Sequence, residues 1–248
     1  MVALLALVFA IDAGPVVPPA ATVASAPLRD AKLILADYTR AIGDEKAWKR
    51  HKSLRVKREV SVKAMNFTSQ EETRVARGGK VFSISKMPGM GTFRRGCDGR
   101  TAWAEDPIGG LRVLKDAEAE EVRVAATWNS EWRLDEIYRP VRAVPPPDAM
   151  PAGQPVECVE LTKSMGQPSV VCFDSKSHLR VLEKGVQASQ GGQVPYVTKF
   201  SDWRMVDGVH MWFREDVAVG PVTMQGQILE IVFDEPTSAQ LFALPRRK

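Results

Sequence analysis

The residues able to do chemistry are few and scattered. Three histidines occur, His51, His178 and His210. A metal site needs ligands at short, regular spacing, and a nucleophile needs a base held beside it. None of the three has such a neighbour in sequence, so each reads as a surface or hydrogen-bonded histidine. Ser83-Ile84-Ser85-Lys86 matches S-x-x-K, the pattern of acyl-serine enzymes. It sits in a segment that alternates like a strand, and the partner motifs of that enzyme class are missing. G-x-S-x-G, H-E-x-x-H and a phosphate-binding glycine loop do not occur. Asp202 has no partner visible in the sequence. The expectation is a protein without catalytic residues, metal or cofactor.

Cysteine chemistry is more specific. Cys158 and Cys172 each lie seven residues from Met165, and Ser164-Met165-Gly166 reads as a three-residue hairpin turn with glycine in the left-handed position. Residues equidistant from a turn face each other across the ladder, close enough to bridge. In an oxidising compartment this pair reads as a disulfide rather than two buried thiols. Cys97 is then the odd cysteine, a buried thiol beside a turn. No C-x-x-C pair is present, which argues against zinc.

The elements that position these residues begin with a helix over 28–42, with Ala31, Leu35, Tyr38 and Ile42 on one face and Gly43 as its C-terminal cap. Asp44 is expected to cap a short second helix carrying Ala47 and Trp48. The period then changes to two. Leu54, Val56, Val60 and Val62 share a strand face, which Arg58 interrupts. Gly78-Gly79, Asp98-Gly99, Gly109-Gly110 and Asp207-Gly208 mark turns, the two Asp-Gly pairs as tight two-residue hairpins. A helical insert is predicted over 116–139, capped by Asp116 and carrying Ala119, Val122, Ala126, Trp128, Trp132, Leu134, Ile137 and Tyr138 up to Pro140. Pro145-Pro146-Pro147 reads as an internal loop, because β pattern resumes at Val156. Strands follow over 156–162, 169–173, 179–184, 196–206, 209–219 and 222–233. Thr237 or Ser238 can cap a final turn.

The composition suits one large globular domain over 28–248: 248 residues in all, 44% hydrophobic and 26% charged. The net charge of +4 is mild. The densest basic stretch, 46–58, reads as a solvated helix face running into a strand and not as a nucleic-acid patch. Residues 2–11 form an apolar run too short for a bilayer, which needs about 20. It suits the core of a signal peptide spanning 1–13. No Lys or Arg precedes it, so either the start lies upstream or the signal is unusual. No cysteine follows it for lipid attachment. The Pro- and Ala-rich stretch 14–27 reads as a disordered spacer. The expected product is a soluble periplasmic or secreted protein with no transmembrane segment.

Several pieces recur in a known order. They are Ala41-Ile42-Gly43 closing the first helix, then Leu54-Arg55-Val56-Lys57, then Met90-Gly91-Thr92-Phe93-Arg94-Arg95-Gly96-Cys97-Asp98-Gly99-Arg100-Thr101-Ala102-Trp103. Phe173-Asp174 with His178-Leu179 follows, then Phe200-Ser201-Asp202-Trp203-Arg204-Met205-Val206-Asp207-Gly208-Val209 and the closing Phe242-Ala243-Leu244-Pro245. Over about residues 30–245 this order resembles the bacterial outer-membrane lipoprotein carrier and lipoprotein-sorting superfamily, the LolA/LolB type, in a poorly characterised secreted branch. Two departures stand out: Arg58 where a small residue is expected, and the long loop after Pro145.

The resemblance implies a mainly β (α+β) fold, a strongly curved antiparallel sheet forming an unclosed half-barrel with helices over its open side. It implies an apolar cavity for lipid acyl chains or a lipidated protein. Candidate cavity or lid residues are Met87, Met90, Trp103, Trp128, Trp132, Leu134, Tyr138, Trp203 and Trp212, because aromatics and methionines line adaptable apolar pockets. Trp212 and Phe213 cannot both face inward. The 116–139 insert is the expected lid, and the segment from Met87 to Gly91, with apolar tips and glycine hinges, reads as an ordinary loop, with a gate as the alternative. Transport of acyl chains towards the outer membrane by a monomer is the leading expectation. A sensor or interaction module on the same fold, working with an inner- or outer-membrane protein, is the alternative. An uncharacterised enzyme is the third.

Overall fold

The computed structural model describes residues 27–43, 45–151, 153–162, 167–189 and 192–246. The expected signal peptide, most of the spacer, Asp44 and the Ser164–Gly166 turn lie outside them.

Thirteen strands form one antiparallel sheet that does not close: β1 (Ser53–Val62), β2 (Phe67–Ala76), β3 (Lys80–Met87), β4 (Gly91–Asp98), β5 (Ala102–Asp106), β6 (Gly110–Val113), β7 (Val141–Val144), β8 (Val156–Leu161), β9 (Ser169–Asp174), β10 (Arg180–Ser189), β11 (Gly192–Val206), β12 (Val209–Val219) and β13 (Val222–Phe233). The strand order is β6-β5-β4-β3-β2-β1-β13-β12-β11-β10-β9-β8-β7. Each half of the chain is a simple meander, and the halves join where β1 pairs β13. Hence β6 and β7, consecutive in sequence, are the two free edges. The segment between them must cross from edge to edge over the inner face of the sheet.

That strap is α3 (Asp116–Ala126), a 3-10 turn (Ser130–Arg133) and the short α4 (Leu134–Ile137). The expected continuous helix over 116–139 is broken: Thr127 is extended and Asn129 is left-handed at φ 49°. Asp116 does not cap α3. It is itself at φ 47°, and Lys115 occupies the N-cap without a side-chain bond.

The opening helix is α1 (Ala31–Ala41), capped by Asp30, whose carboxylate accepts from Lys32 N at 2.9 Å and Leu33 N at 3.3 Å. It buries Ala31, Ile34, Leu35, Tyr38 and the following Ile42 against inner-face residues of β8 and β9 such as Val159, Leu161 and Phe173. Its end docks on the β11–β12 turn. A Cβ on Gly43, at φ 125°, would stand 2.8 Å from Gly208 O, so only glycine permits the approach. His210 fastens the contact: its N donates to Ile42 O at 2.9 Å and its Nδ1 lies 2.7 Å from Ala41 O. The short α2 (Glu45–Arg50) then buries Trp48.

The inner face carries two apolar cores side by side. One joins α1, α4 and β7–β13; the other seats α3, through Ala119, Val122 and Ala126, on Val81, Cys97 and Ala102. The outer face has smaller clusters. Phe242 closes over Phe82 and Trp103. Met150 and Ala149, from the loop after the three prolines, pack on Cys158, Cys172 and Leu182. Strand β7 is absent from the sequence expectation, since four residues give too little alternation to read. Asp207-Gly208 is the expected two-residue turn, with Val206 paired to Val209. Asp98-Gly99 turns over a longer loop: Cys97 pairs with Ala102, and the Asp98 carboxylate accepts from Arg100 N at 2.9 Å and Thr101 N at 2.8 Å.

Candidate functional site

Strand register sorts the inner face into layers. Directly opposed residues of an antiparallel pair share a face. Leu54 faces Val75, which faces Val81: an apolar layer. Two residues along, Val56, Thr73, Ser83 and Arg95 form a mixed layer, with Thr73 Oγ1 3.0 Å from Ser83 Oγ. Two further along, Arg58, Glu71 and Ser85 form an ionic one. The inner face thus grades from oily to charged over about five residues of strand.

Arg58 is the hub of the ionic layer. Its Nε and Nη2 donate to Glu71 Oε2 at 2.8 and 2.5 Å, and its Nη1 donates to Glu215 Oε2 at 2.8 Å. Burial alone would lower its pKa; the two carboxylates outweigh this and raise it. Trp212 Nε1 donates to Glu215 Oε1 at 2.6 Å, and Ser85 Oγ to Glu71 Oε1 at 3.2 Å. A second buried cation, Arg180, stacks over Phe200 and Trp212, with its guanidinium carbon 4.1 and 4.8 Å from the ring centroids. It pairs with Glu131 at 3.3 Å and Glu183 at 3.5 Å. Tyr38, whose hydroxyl burial pushes well above its ordinary range, donates to Glu131 Oε2 at 2.7 Å. Burial raises the Glu131 carboxyl, but Arg180 and the Tyr38 hydroxyl outweigh it, and the group stays ionised. Trp212 therefore links two ion clusters through the middle of the fold.

A chamber of about 110 Å³ lies between the sheet and the strap. Leu54, Val56, Val75, Val81 and Ile228 form its floor, and Val122, Ala125 and Trp128 its roof. Arg58, Arg95, Glu121 and Glu215 also line it, with Trp48 and Trp212 at its sides. Most of its wall is apolar, with charged side chains along part of it. An engineered cavity of about 150 Å³ takes one benzene, so this space suits a head group or a short apolar stretch rather than a whole acyl chain.

Of the residues expected at the site, Trp128 and Trp212 line the chamber, and Phe213 does not. Trp203 packs edge-on behind Trp212, with centroids 5.5 Å apart, and donates to Arg180 O at 3.1 Å. Trp132, Leu134 and Tyr138 belong to the core against α1. Trp103 stands on the outer face, fully buried, with Nε1 donating to Phe242 O at 3.0 Å. Met87 and Met90 sit at the β3–β4 turn, where Met90 N donates to Met87 O at 3.1 Å, and they are not among the chamber's lining.

Cys158 and Cys172 face each other across β8 and β9 and are disulfide-bonded, and Cys97 is a free buried thiol. Asp202 has a partner after all: Arg204 donates to both its carboxylate oxygens, at 2.9 and 2.7 Å. Ser83 and Lys86 point to opposite faces of β3, so the S-x-x-K pattern assembles no serine–lysine pair. His51 pairs with Asp234 at 2.8 Å and stacks on Phe233. Among the described residues no group of three or more His, Cys, Asp and Glu side chains is placed to hold a metal, and no helix is long and apolar enough to cross a membrane.

The sequence reading missed Glu71, Arg95, Glu215 and Arg180. The signal was available in part: Arg58 lies in phase with the apolar face of β1, and a charge there demands buried partners in phase on neighbouring strands.

No protein-family model matches the chain, and no curated protein matches it in sequence. Solved structures do match it in shape. A LolA superfamily protein from Nitrosomonas europaea superposes with TM-score 0.58 at 10% identity, over 87% of this chain and 98% of that one. A DUF1329 family protein from Desulfovibrio piger gives 0.56 at 10%, over 86% and 97%. A domain described as an outer membrane lipoprotein-sorting protein, from Vibrio parahaemolyticus, gives 0.53 at 12%, over 85% and 95%. Identities this low speak for shape alone. With its unclosed antiparallel sheet and crossing strap, this chain has the fold of the LolA superfamily.

Proposed function

We propose that the protein is a periplasmic lipid- or lipoprotein-binding protein without catalytic chemistry, which takes acyl chains beneath its strap. The observation that carries this is the chamber between the inner face of the sheet and α3, floored by Leu54, Val56, Val75 and Val81 and roofed by Trp128. The fold likeness supports it, since one similar structure is described as a lipoprotein-sorting domain. At about 110 Å³ the chamber admits a full acyl chain only if the roof moves. The cargo enters by displacing Trp128 and α3. Delivery towards the outer membrane by a monomer is the transport form of this reading, with an inner- or outer-membrane protein as donor or acceptor.

The test is native mass spectrometry of gently purified protein, followed by organic extraction. Stoichiometric phospholipid or acylated peptide is the expected result. A clean mass with no uptake of added lipid would sink the carrier reading. The small, partly charged chamber favours one second reading, a sensor or interaction module whose interior is filled mostly by side chains. Stable recovery of a membrane protein without bound lipid would favour it.

A further inference from the structure

Two buried indole donors around the chamber have nothing to donate to, and a half-buried guanidinium stands beside them. The indole N–H of Trp48 is buried in a residue only 4% exposed, and the N–H of Trp128 is buried as well; neither has a partner among the described residues. Both side chains line the chamber. Arg95 lines it too, in the mixed layer beside Thr73 and Ser83. It makes no hydrogen bond and no ion pair among the described residues. Burial lowers its pKa, Glu71 and Glu121 act the other way, and Arg58 repels it. The contrast with Arg58 is direct: that guanidinium has two carboxylates to itself, while Arg95, on the same wall, has none at contact.

An unpaired buried donor is costly, and natural interiors leave few of them. Indole N–H and guanidinium can donate but not accept. Whatever satisfies both indoles must therefore bring an acceptor, and the guanidinium beside them, which no carboxylate touches, favours a negative one. Glu121, Glu131 and Glu215 line the same space, so one added negative charge is tolerated better than two. Beside the polar wall lie Val75, Val81 and Val122, which suit the methylenes next to a head group.

From this we propose that the chamber holds the carboxylate head of a single-chain amphiphile, received by Arg95, Trp48 and Trp128, with its chain running under α3. This inference rests on the lipid-binding reading and specifies which end of the ligand goes in. It inverts the simple picture of a cavity that accepts only the oily end.

The experiment uses the full chain and three ligands of one length: decanoate, 1-decanol and decyl phosphate. Calorimetry and quenching of tryptophan fluorescence report binding. Decanoate is expected to bind about 10- to 100-fold more tightly than decanol, the worth of a charge-assisted hydrogen bond. Arg95→Met should bring the two within about twofold while leaving decanol unchanged. Trp48→Phe, which keeps the ring and removes the donor, should cut the preference several-fold. Equal binding of acid and alcohol by the unaltered protein would overturn the head-group inference alone, as would a preference indifferent to Arg95→Met. Tighter binding of decyl phosphate would overturn the choice of a single negative charge. If none of the three binds, the lipid-binding reading falls with it.

Discussion

Replacing Arg58 with methionine isolates the least expected feature of the interior. The Arg58 side chain is 4% exposed, Glu71 13% and Glu215 8%. Methionine fills similar volume but strands two carboxylates. Removing one partner of a buried ion pair costs about 3–5 kcal/mol. Here Ser85 Oγ still donates to Glu71 and Trp212 Nε1 to Glu215, so neither carboxylate is wholly abandoned. That places the loss near the lower end, about 3 kcal/mol, or roughly 6–12 °C in Tm for a domain of this size. Urea unfolding of both proteins at pH 7.5, with the disulfide oxidised, measures this. A loss below about 1 kcal/mol would refute the reasoning. Adding Glu71→Gln and Glu215→Gln to Arg58→Met should restore much of the loss, since neutral replacements of buried ion clusters are often tolerated.

Other consequences are checked more simply. Hydrogen bonds from Arg55 and then Lys57 hold the Glu230 carboxyl at about 2, against an ordinary 4.5. A depressed folded pKa gives stability above the unfolded value that is lost as pH falls towards 2, so Arg55→Gln should flatten the decline of the urea midpoint below pH 4.5. The Cys158–Cys172 bridge spans 14 residues, a loop whose closure is worth about 3 kcal/mol on the chain-entropy account; reduction should lower Tm accordingly, and an unchanged Tm would contradict it. A Cβ on Gly96 would lie 2.7 Å from the buried indole of Trp103. Gly96→Ala should therefore cost about 1–3 kcal/mol and loosen the C-terminal segment that Trp103 holds through Phe242, which limited proteolysis would reveal. Trp128→Glu should weaken lipid uptake while the circular dichroism spectrum stays native.

The parts legible in the sequence are those written in local periodicity. The face of α1 at 31, 35, 38 and 42, the opposed cysteines and the Asp207-Gly208 turn each follow from spacing alone. The long strands of the second half emerge within a few residues of their ends. What stayed hidden depends on which strand lies beside which. Arg58 was visible as an anomaly, but its partners are 13 and 157 residues away, and only the β1–β2 pairing and the β1–β13–β12 succession bring them into phase. Trp103 was misjudged for a similar reason: its indole is as apolar as any ligand-facing one, and only the docking of Phe242 marks the outer face as its home. The break in the strap at Thr127–Asn129 was hidden because apolar spacing continues through it towards Tyr138.

That break bears on how the chamber could open. The strap is fastened at Glu131, which holds Tyr38 of α1 and Arg180 of β10. Lifting the whole strap would separate Glu131 from Arg180 and leave that buried guanidinium with Glu183 alone, at about 3–5 kcal/mol. Swinging only α3 with Trp128 leaves the Glu131–Arg180 pair intact, and the left-handed Asn129 lies between the two parts. The α3 seat is also built of smaller side chains, Ala119, Val122 and Ala126 on Val81 and Ala102, whose burial is worth less than that of Leu134 and Tyr138. Both arguments assign the motion to residues 116–128 and the anchor to 131–138. Hydrogen exchange separates them: α3 amides should exchange well ahead of those in 131–138, and addition of a bound amphiphile should slow the first set and leave the second unchanged. Equal protection of the two segments would mean that the strap moves as one piece and that the Glu131–Arg180 pair does not restrain it.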